Sequence, residues 1–126
     1  MASTDDLTIT DGSIVLPFLP SIGVYDFTCS INARTYLFDV RWSGYERAWY
    51  FDLYDDASNI VGLNNKIVLG AFIGRRHDHV LFREGVIIAA DLSGKHQEFG
   101  FDDVGTRCIV QYVPVLELIY RSRQVP

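Results

Sequence analysis

The stretch from Thr35 to Asp55, TYLFDVRWSGYERAWYFDLYD, constrains this chain more than any other. Tyr36, Phe38, Val40 and Trp42 alternate with Leu37, Asp39 and Arg41. After a polar turn, Trp49, Phe51 and Leu53 alternate with Tyr50, Asp52 and Tyr54. Successive side chains on a strand point to opposite sides of the sheet, so a period of two is the strand period. The pattern predicts a β-hairpin with one aromatic face.

Three registers keep the apolar faces of that hairpin together. One sets Trp42 opposite Trp49 and Asp39 opposite Asp52. A second sets Trp42 opposite Phe51, Arg41 opposite Asp52 and Gly44 opposite Trp49, with Tyr45, Glu46, Arg47 and Ala48 as the loop. A third makes Gly44-Tyr45 a two-residue turn and faces Trp42 with Arg47. Like charges directly opposite are unfavourable, whereas opposite charges gain roughly 0.2–1 kcal/mol. Charge therefore favours the second register; glycine at the first turn position keeps the third open. A slip by one residue would turn the tryptophans to solvent, so the register should be firmly held.

With 126 residues the chain is one domain, long enough to bury a real core. Its hydrophobic fraction of 48% excludes a disordered chain, and seven Tyr, eight Phe and two Trp favour strands. A net charge of −5 opposes non-specific nucleic-acid or membrane binding as the main activity. Cys29 and Cys108 sit in strand-like runs, TCSI and RCIV, and read as buried thiols; a disulfide needs their strands to be neighbours, which spacing does not show. There is no zinc spacing and no Cys-x-x-Cys. No secretory signal is evident and no apolar run approaches the ~20 residues of a spanning helix. These features point to a soluble protein made in a reducing cytoplasm.

Along the chain, residues 1–23 read as an N-terminal arm, 24–120 as the β domain and 121–126 as a C-terminal tail. Met1 to Asp11 is polar and acidic, with only LTIT alternating. Ile14 to Pro20, IVLPFLP, holds two prolines and so is no central strand. Ile14, Val15, Leu16, Phe18 and Leu19 are nonetheless too apolar to leave in water. Either the segment packs along its own domain, or it docks on a neighbouring subunit; in the second case its removal weakens assembly and leaves folding intact. Tyr25 to Ala33 predicts the first long strand, and Asn32-Ala33-Arg34 a short turn into the aromatic hairpin. Beyond the turn cluster at 55–59, short strands are expected at Ile60–Leu63 and Lys66–Ile73, split by Asn64-Asn65. Val80–Arg83 and Val86–Leu92 form a further pair, Phe99-Gly100-Phe101 a short extension, and Thr106–Val113 a strand that continues after Pro114 to Tyr120. Apolar residues nowhere hold a 3.6-residue period over three turns, and turns recur about every eight to twelve residues. The expected fold is all-β, a small antiparallel β-barrel or barrel-like sandwich of about seven to nine strands.

The candidate chemistry is sparse. His77 and His79 can face one way if a strand starts there, and two imidazoles can ligate zinc, but only His96 remains as a third and at no recognisable spacing. A solvated turn explains them, and no metal or other cofactor is expected. Arg75 and Arg76 beside them suit either a solvated turn or an interface contact. Asp39 and Asp52 on adjacent strands resemble the paired carboxylates of glycosidases, but pairing of Asp52 with Arg41 accounts for them. No Gly-x-Ser-x-Gly, phosphate loop, His-Glu-x-x-His or dinucleotide fingerprint is present. The aromatic face reads as core before it reads as a stacking platform for nucleic acid or sugar.

Three features carry a family resemblance: the opening strand pair YDFTCSINARTYLFDVRW, the return WYFDLYD followed by the glycine-spaced IVGLNNKIVLGAFI, and the turn Asp102-Asp103-Val104-Gly105 before IVQYV. In these the chain resembles the phage baseplate plug family, small β domains of contractile-tail bacteriophage baseplates, over Val24 to about Leu118. The resemblance leaves out residues 1–23. It implies a virion protein of the tail baseplate without catalytic residues, placed at the central hub and multi-copy or homo-oligomeric. Its partners would be other hub, tube-initiator or spike proteins, with no nucleic acid as specific ligand. Contacts would fall to the apolar arm and the Arg75-Arg76 turn. The alternative is a small-ligand or carbohydrate-binding β module, which requires an open apolar pocket lined by Trp42, Trp49 and Tyr50.

Overall fold

Alternation in the sequence becomes a meander in space. The computed structural model describes residues 13–95 and 97–114. Strands β2 (Val24–Ile31), β3 (Arg34–Ser43), β4 (Ala48–Asp55) and β5 (Ile60–Lys66) form one antiparallel sheet in sequence order. The second sheet has the order β1-β8-β7-β6, from β1 (Ile14–Val15), β6 (Phe72–Ile73), β7 (Gly85–Asp91) and β8 (Cys108–Pro114). The two sheets share one hydrophobic core and make a barrel-like sandwich rather than a closed barrel.

Each hairpin has a local cause. Asn32 and Ala33 both take positive φ, 53° and 64°, the backbone of a two-residue turn whose twist matches the strands it joins. It pairs Phe27 with Phe38 and Tyr25 with Val40. The aromatic hairpin adopts the register that sets Trp42 opposite Trp49 and Asp39 opposite Asp52, not the one favoured by charge. The reason is reach. Arg41 lies opposite Tyr50, yet its Nη1 meets the Asp52 carboxylate diagonally at 3.1 Å. The ion pair therefore survives without direct opposition, and the two indoles meet edge to face at 5.3 Å. The loop is accordingly Gly44 to Arg47, with Arg47 left-handed at φ 53°.

Three further expectations change. Asn64-Asn65 does not split a strand: β5 runs through both, with Asn64 at φ 57° and register shifts against β4. Asn65 is buried, and its amide nitrogen donates to the carbonyls of Phe51 and Gly62. The expected strand at Val80–Arg83 is instead a short helix, α1 (Val80–Glu84). His79 caps it, its Nδ1 accepting from the Leu81 N–H at 3.1 Å, while Leu81 turns into the core. Phe99 and Gly100 are irregular chain leading into a turn at Phe101 rather than a strand extension, and the ring of Phe101 stacks on Trp49 at 5.7 Å. The LTIT run, His96, the continuation from Val115 to Tyr120 and the tail at 121–126 lie outside the described residues.

Candidate functional site

The arm enters as the edge strand of the second sheet. Ile14 pairs with Tyr112 and Val15 with Gln111, and the Leu16 N–H donates to the Val110 carbonyl at 2.8 Å. Burial then alternates: Leu16 is 2% and Phe18 4% exposed, Val15 58% and Leu19 45%. The Phe18 ring packs edge-on against Phe27, Phe38 and Phe51, with centroids 5.1, 6.0 and 5.7 Å away. Polar contacts fix the rest of the segment. The Leu19 N–H donates to the Tyr25 hydroxyl at 2.7 Å, the Ser21 N–H to the Phe101 carbonyl at 3.1 Å, and the Ser21 hydroxyl to Asp102. Gly105 sits at φ 83°, and a Cβ there would come within 2.5 Å of the Phe18 carbonyl oxygen. The Asp-Gly turn named in the resemblance thus makes room for the arm. Of the predicted contact residues in the arm, Val15 and Leu19 face outward, Ile14 packs against the core, and Leu16 and Phe18 belong to it.

The Arg75-Arg76 turn divides its two cations. The Arg75 guanidinium lies 5.5 Å from the ring centroid of exposed Phe72, an apolar and cationic pair at the surface. Arg76 Nη2 donates to the carbonyls of Leu63 at 2.7 Å and Asn64 at 3.1 Å, covering the outer edge of β5. The histidines between this turn and α1 go to different neighbours. His77 Nε2 lies 2.8 Å from the Asn65 side-chain oxygen, and burial, with Arg76 adding to it, pulls its pKa down. His79 caps α1 and packs against Tyr36. Among the described residues no group of three His, Cys, Asp or Glu side chains is placed to hold a metal ion.

The remaining candidates form no joint site. Asp52 accepts from Arg41 and from the Asn64 N–H at 2.8 Å, while Asp39 is exposed. Cys29 on β2 and Cys108 on β8 are free thiols in different sheets, and burial pushes both pKa values up. The pocket required by a ligand-binding module does not form from its named residues. Trp49 is 0% exposed, Trp42 packs against both Trp49 and the Phe101 ring stacked on it, and Tyr50 lies on the opposite face beside Arg41. Of the three named residues only Trp49 lines an open cleft, of about 250 Å³, where it joins Ile67, Val68 and Phe99 under a rim of Glu46, Arg47, Lys66 and Glu98.

One cluster escaped sequence reasoning. Arg107 reaches Asp91 at 2.5 Å and Asp103 at 3.1 Å, and donates to the carbonyls of Gln97 and Glu98. It gathers Gln97, Glu98 and the turn at Asp103 onto the end of β7. An Asp with a Ser two residues on is the one local signal that could have pointed to it; the arginine sixteen residues on carries none.

Among the described residues no helix is long and apolar enough to cross a membrane. The molecule is a small two-sheet β module whose distinctive outward features are an apolar arm and an arginine-bearing turn. A protein-family model described as cyanophage baseplate Pam3 plug gp18 matches residues 14–115. The chain belongs to this phage baseplate plug family, a structural family of the virion, and its place is the tail baseplate. The match starts at Ile14 and so takes in the part of the arm that the resemblance had left out. No curated protein matches the chain.

Proposed function

We propose that this domain is a central hub or plug subunit of the baseplate, that it acts through protein–protein contacts in tail assembly and performs no reaction. The family match over residues 14–115 carries the reading. Hub, tube-initiator or spike proteins are its neighbours, and it is present in several copies. Val15 and Leu19 from the arm and Arg75 from the loop after β6 make contacts; Ile14, Leu16 and Phe18 hold the arm in place for them. Support comes from exposure: Val15 and Leu19 leave apolar surface in water, as does Phe72, over which the Arg75 guanidinium lies. Arg76 contributes by keeping the turn fixed to β5.

The test is phage complementation with Val15→Asp, Leu19→Asp and Arg75→Glu. Each variant should unfold within about 0.5 kcal/mol of the parent, as surface substitutions do. Each should nevertheless be depleted from purified particles. Normal incorporation of all three would overturn the assignment of contacts, and absence of the parent protein from tail baseplates would overturn the function.

A further inference from the structure

Four strand edges bound the two sheets, and three are closed or too short to pair. β1 and β6 hold two residues each. β5 is bulged, and Arg76 covers its outer carbonyls. β2 differs: it runs eight residues, Val24–Ile31, without proline, lysine or register shift. Those are the devices by which proteins ordinarily protect an edge.

The direction of its free groups follows from one hydrogen bond. The Trp42 N–H donates to the Gly23 carbonyl at 2.8 Å, and in an antiparallel ladder hydrogen-bonded pairs alternate with non-bonded ones. Tyr25, Phe27, Cys29 and Ile31 therefore aim their backbone groups at β3. Val24, Asp26, Thr28 and Ser30 aim theirs away. Among the described residues no backbone group pairs with that outer row, and the Ser30 carbonyl takes only a long contact from the Cys29 thiol at 3.9 Å.

Both faces of β2 are also incomplete. On the core face Tyr25, Phe27 and Cys29 remain half-exposed, whereas Tyr36, Phe38 and Val40 opposite them on β3 are buried. On the outer face Asp26 lies opposite Asp39, and neither makes an ion pair with a described residue. Arg41, one diagonal step from Asp26, is turned to Asp52 and Asn64. Two carboxylates face each other where opposite charge would be favoured.

We propose that the outer edge of β2 receives an extended, basic segment of another protein, which adds to the sheet as a fifth strand. Its backbone pairs with Val24, Asp26, Thr28 and Ser30. Apolar side chains on one face cover Tyr25, Phe27 and Cys29, and a lysine or arginine on the other lies against Asp26 and Asp39. Strand addition of this kind takes its affinity from backbone bonds and its selectivity from alternate side chains. A second copy of this chain is the poorer occupant, because Val24 to Ile31 contains no cation. The inference rests on the assembly reading only for the source of the segment.

The probe is a capped nine-residue peptide of alternating valine and threonine with a central lysine on the threonine face, beside the same peptide with glutamate. In the free full-length protein the amides of Val24, Asp26, Thr28 and Ser30 should exchange with solvent quickly. With lysine peptide at about 1 mM, a concentration that registers even weak association, those four should be protected. The glutamate peptide should bind about two- to fivefold more weakly. Asp26→Lys should reverse that order, and Thr28→Pro, which removes one outward N–H, should abolish binding by both peptides. Protection of the four amides in the free monomer would mean that the chain's own termini cover the edge, and protection confined to a dimer would mean that a second copy does. Either result, equal binding of both peptides, or no protection at all, overturns the proposal. None of them bears on whether the protein belongs to the baseplate, which the complementation experiment reads separately.

Discussion

Asp91 is the side chain on which the end of the second sheet depends. Its carboxylate is shielded from solvent and accepts from the Ser93 hydroxyl at 2.6 Å, from the N–H groups of Ser93 and Gln97, and from Arg107. The Ser93 hydroxyl contributes most; burial pulls the other way, and the balance holds the pKa at about 2. Asp103 and Asp55 are shifted in the same direction, chiefly by Arg107 and by the Asn59 backbone. A carboxyl group whose pKa is depressed on folding contributes stability that is fully present above its unfolded value, near 3.9, and lost as pH falls through the folded one. Urea unfolding should therefore show stability level above about pH 5 and falling steeply from about pH 4 towards 2. Asp91→Asn should lower stability at neutral pH and flatten that fall. An unchanged slope in the variant would show that the acid sensitivity arises elsewhere.

At the scale of elements, the arm separates what it does for the fold from what it offers outward. Truncating Phe18 removes a ring that touches Phe27, Phe38 and Phe51, so Phe18→Ala should cost about 3–5 kcal/mol in urea unfolding. Val15→Ala and Leu19→Ala should cost well under that, because both side chains already meet water. Near-equal losses at Phe18 and Leu19 would mean that the arm is not seated as described. Removal of the whole arm hence damages the core, contrary to the expectation for a segment that only docks outward. That outcome was partly legible: in IVLPFLP the buried positions, Leu16 and Phe18, keep the strand period. What could not be read was the partner strand, since Ile14 pairs with Tyr112 nearly a hundred residues on and no local pattern encodes so distant a contact. The β2–β3 and β3–β4 hairpins were legible because alternation and turn residues are local. The register of β3–β4 was misjudged because side-chain reach was treated as direct opposition, and Arg41 reaches across a diagonal. Helix α1 is too short to display a 3.6-residue period, and its N-terminal signal is a histidine rather than a common capping residue.

For the whole molecule, the question is whether two sheets behave as one body. Leu16 and Phe18 from the arm, Phe38, Phe51 and Leu53 from the first sheet, and Ile87, Val110 and Tyr112 from the second belong to a single core. Polar contacts add a bolt at one end. The Tyr112 hydroxyl donates to the Leu81 carbonyl at 2.8 Å and accepts from the Asn32 amide at 3.3 Å, linking β8 to α1 and to the β2–β3 turn. Burial raises the Tyr112 pKa to about 12, so the hydroxyl keeps its proton throughout the ordinary pH range. Either sheet leaving would expose the core face of the other, which makes separate unfolding unfavourable. Trp42 and Trp49 both report on the first sheet, whereas the far-UV signal reports on both sheets. The two probes should thus give one coincident urea transition, the mark of two-state behaviour. Tyr112→Phe should move both midpoints together, by a loss of about 1–3 kcal/mol for the buried Leu81 carbonyl that loses this donor. A tryptophan transition displaced from the far-UV transition would show that the sheets unfold independently. Coincidence would instead mean that the arm and both sheets unfold as one body, as their single core requires.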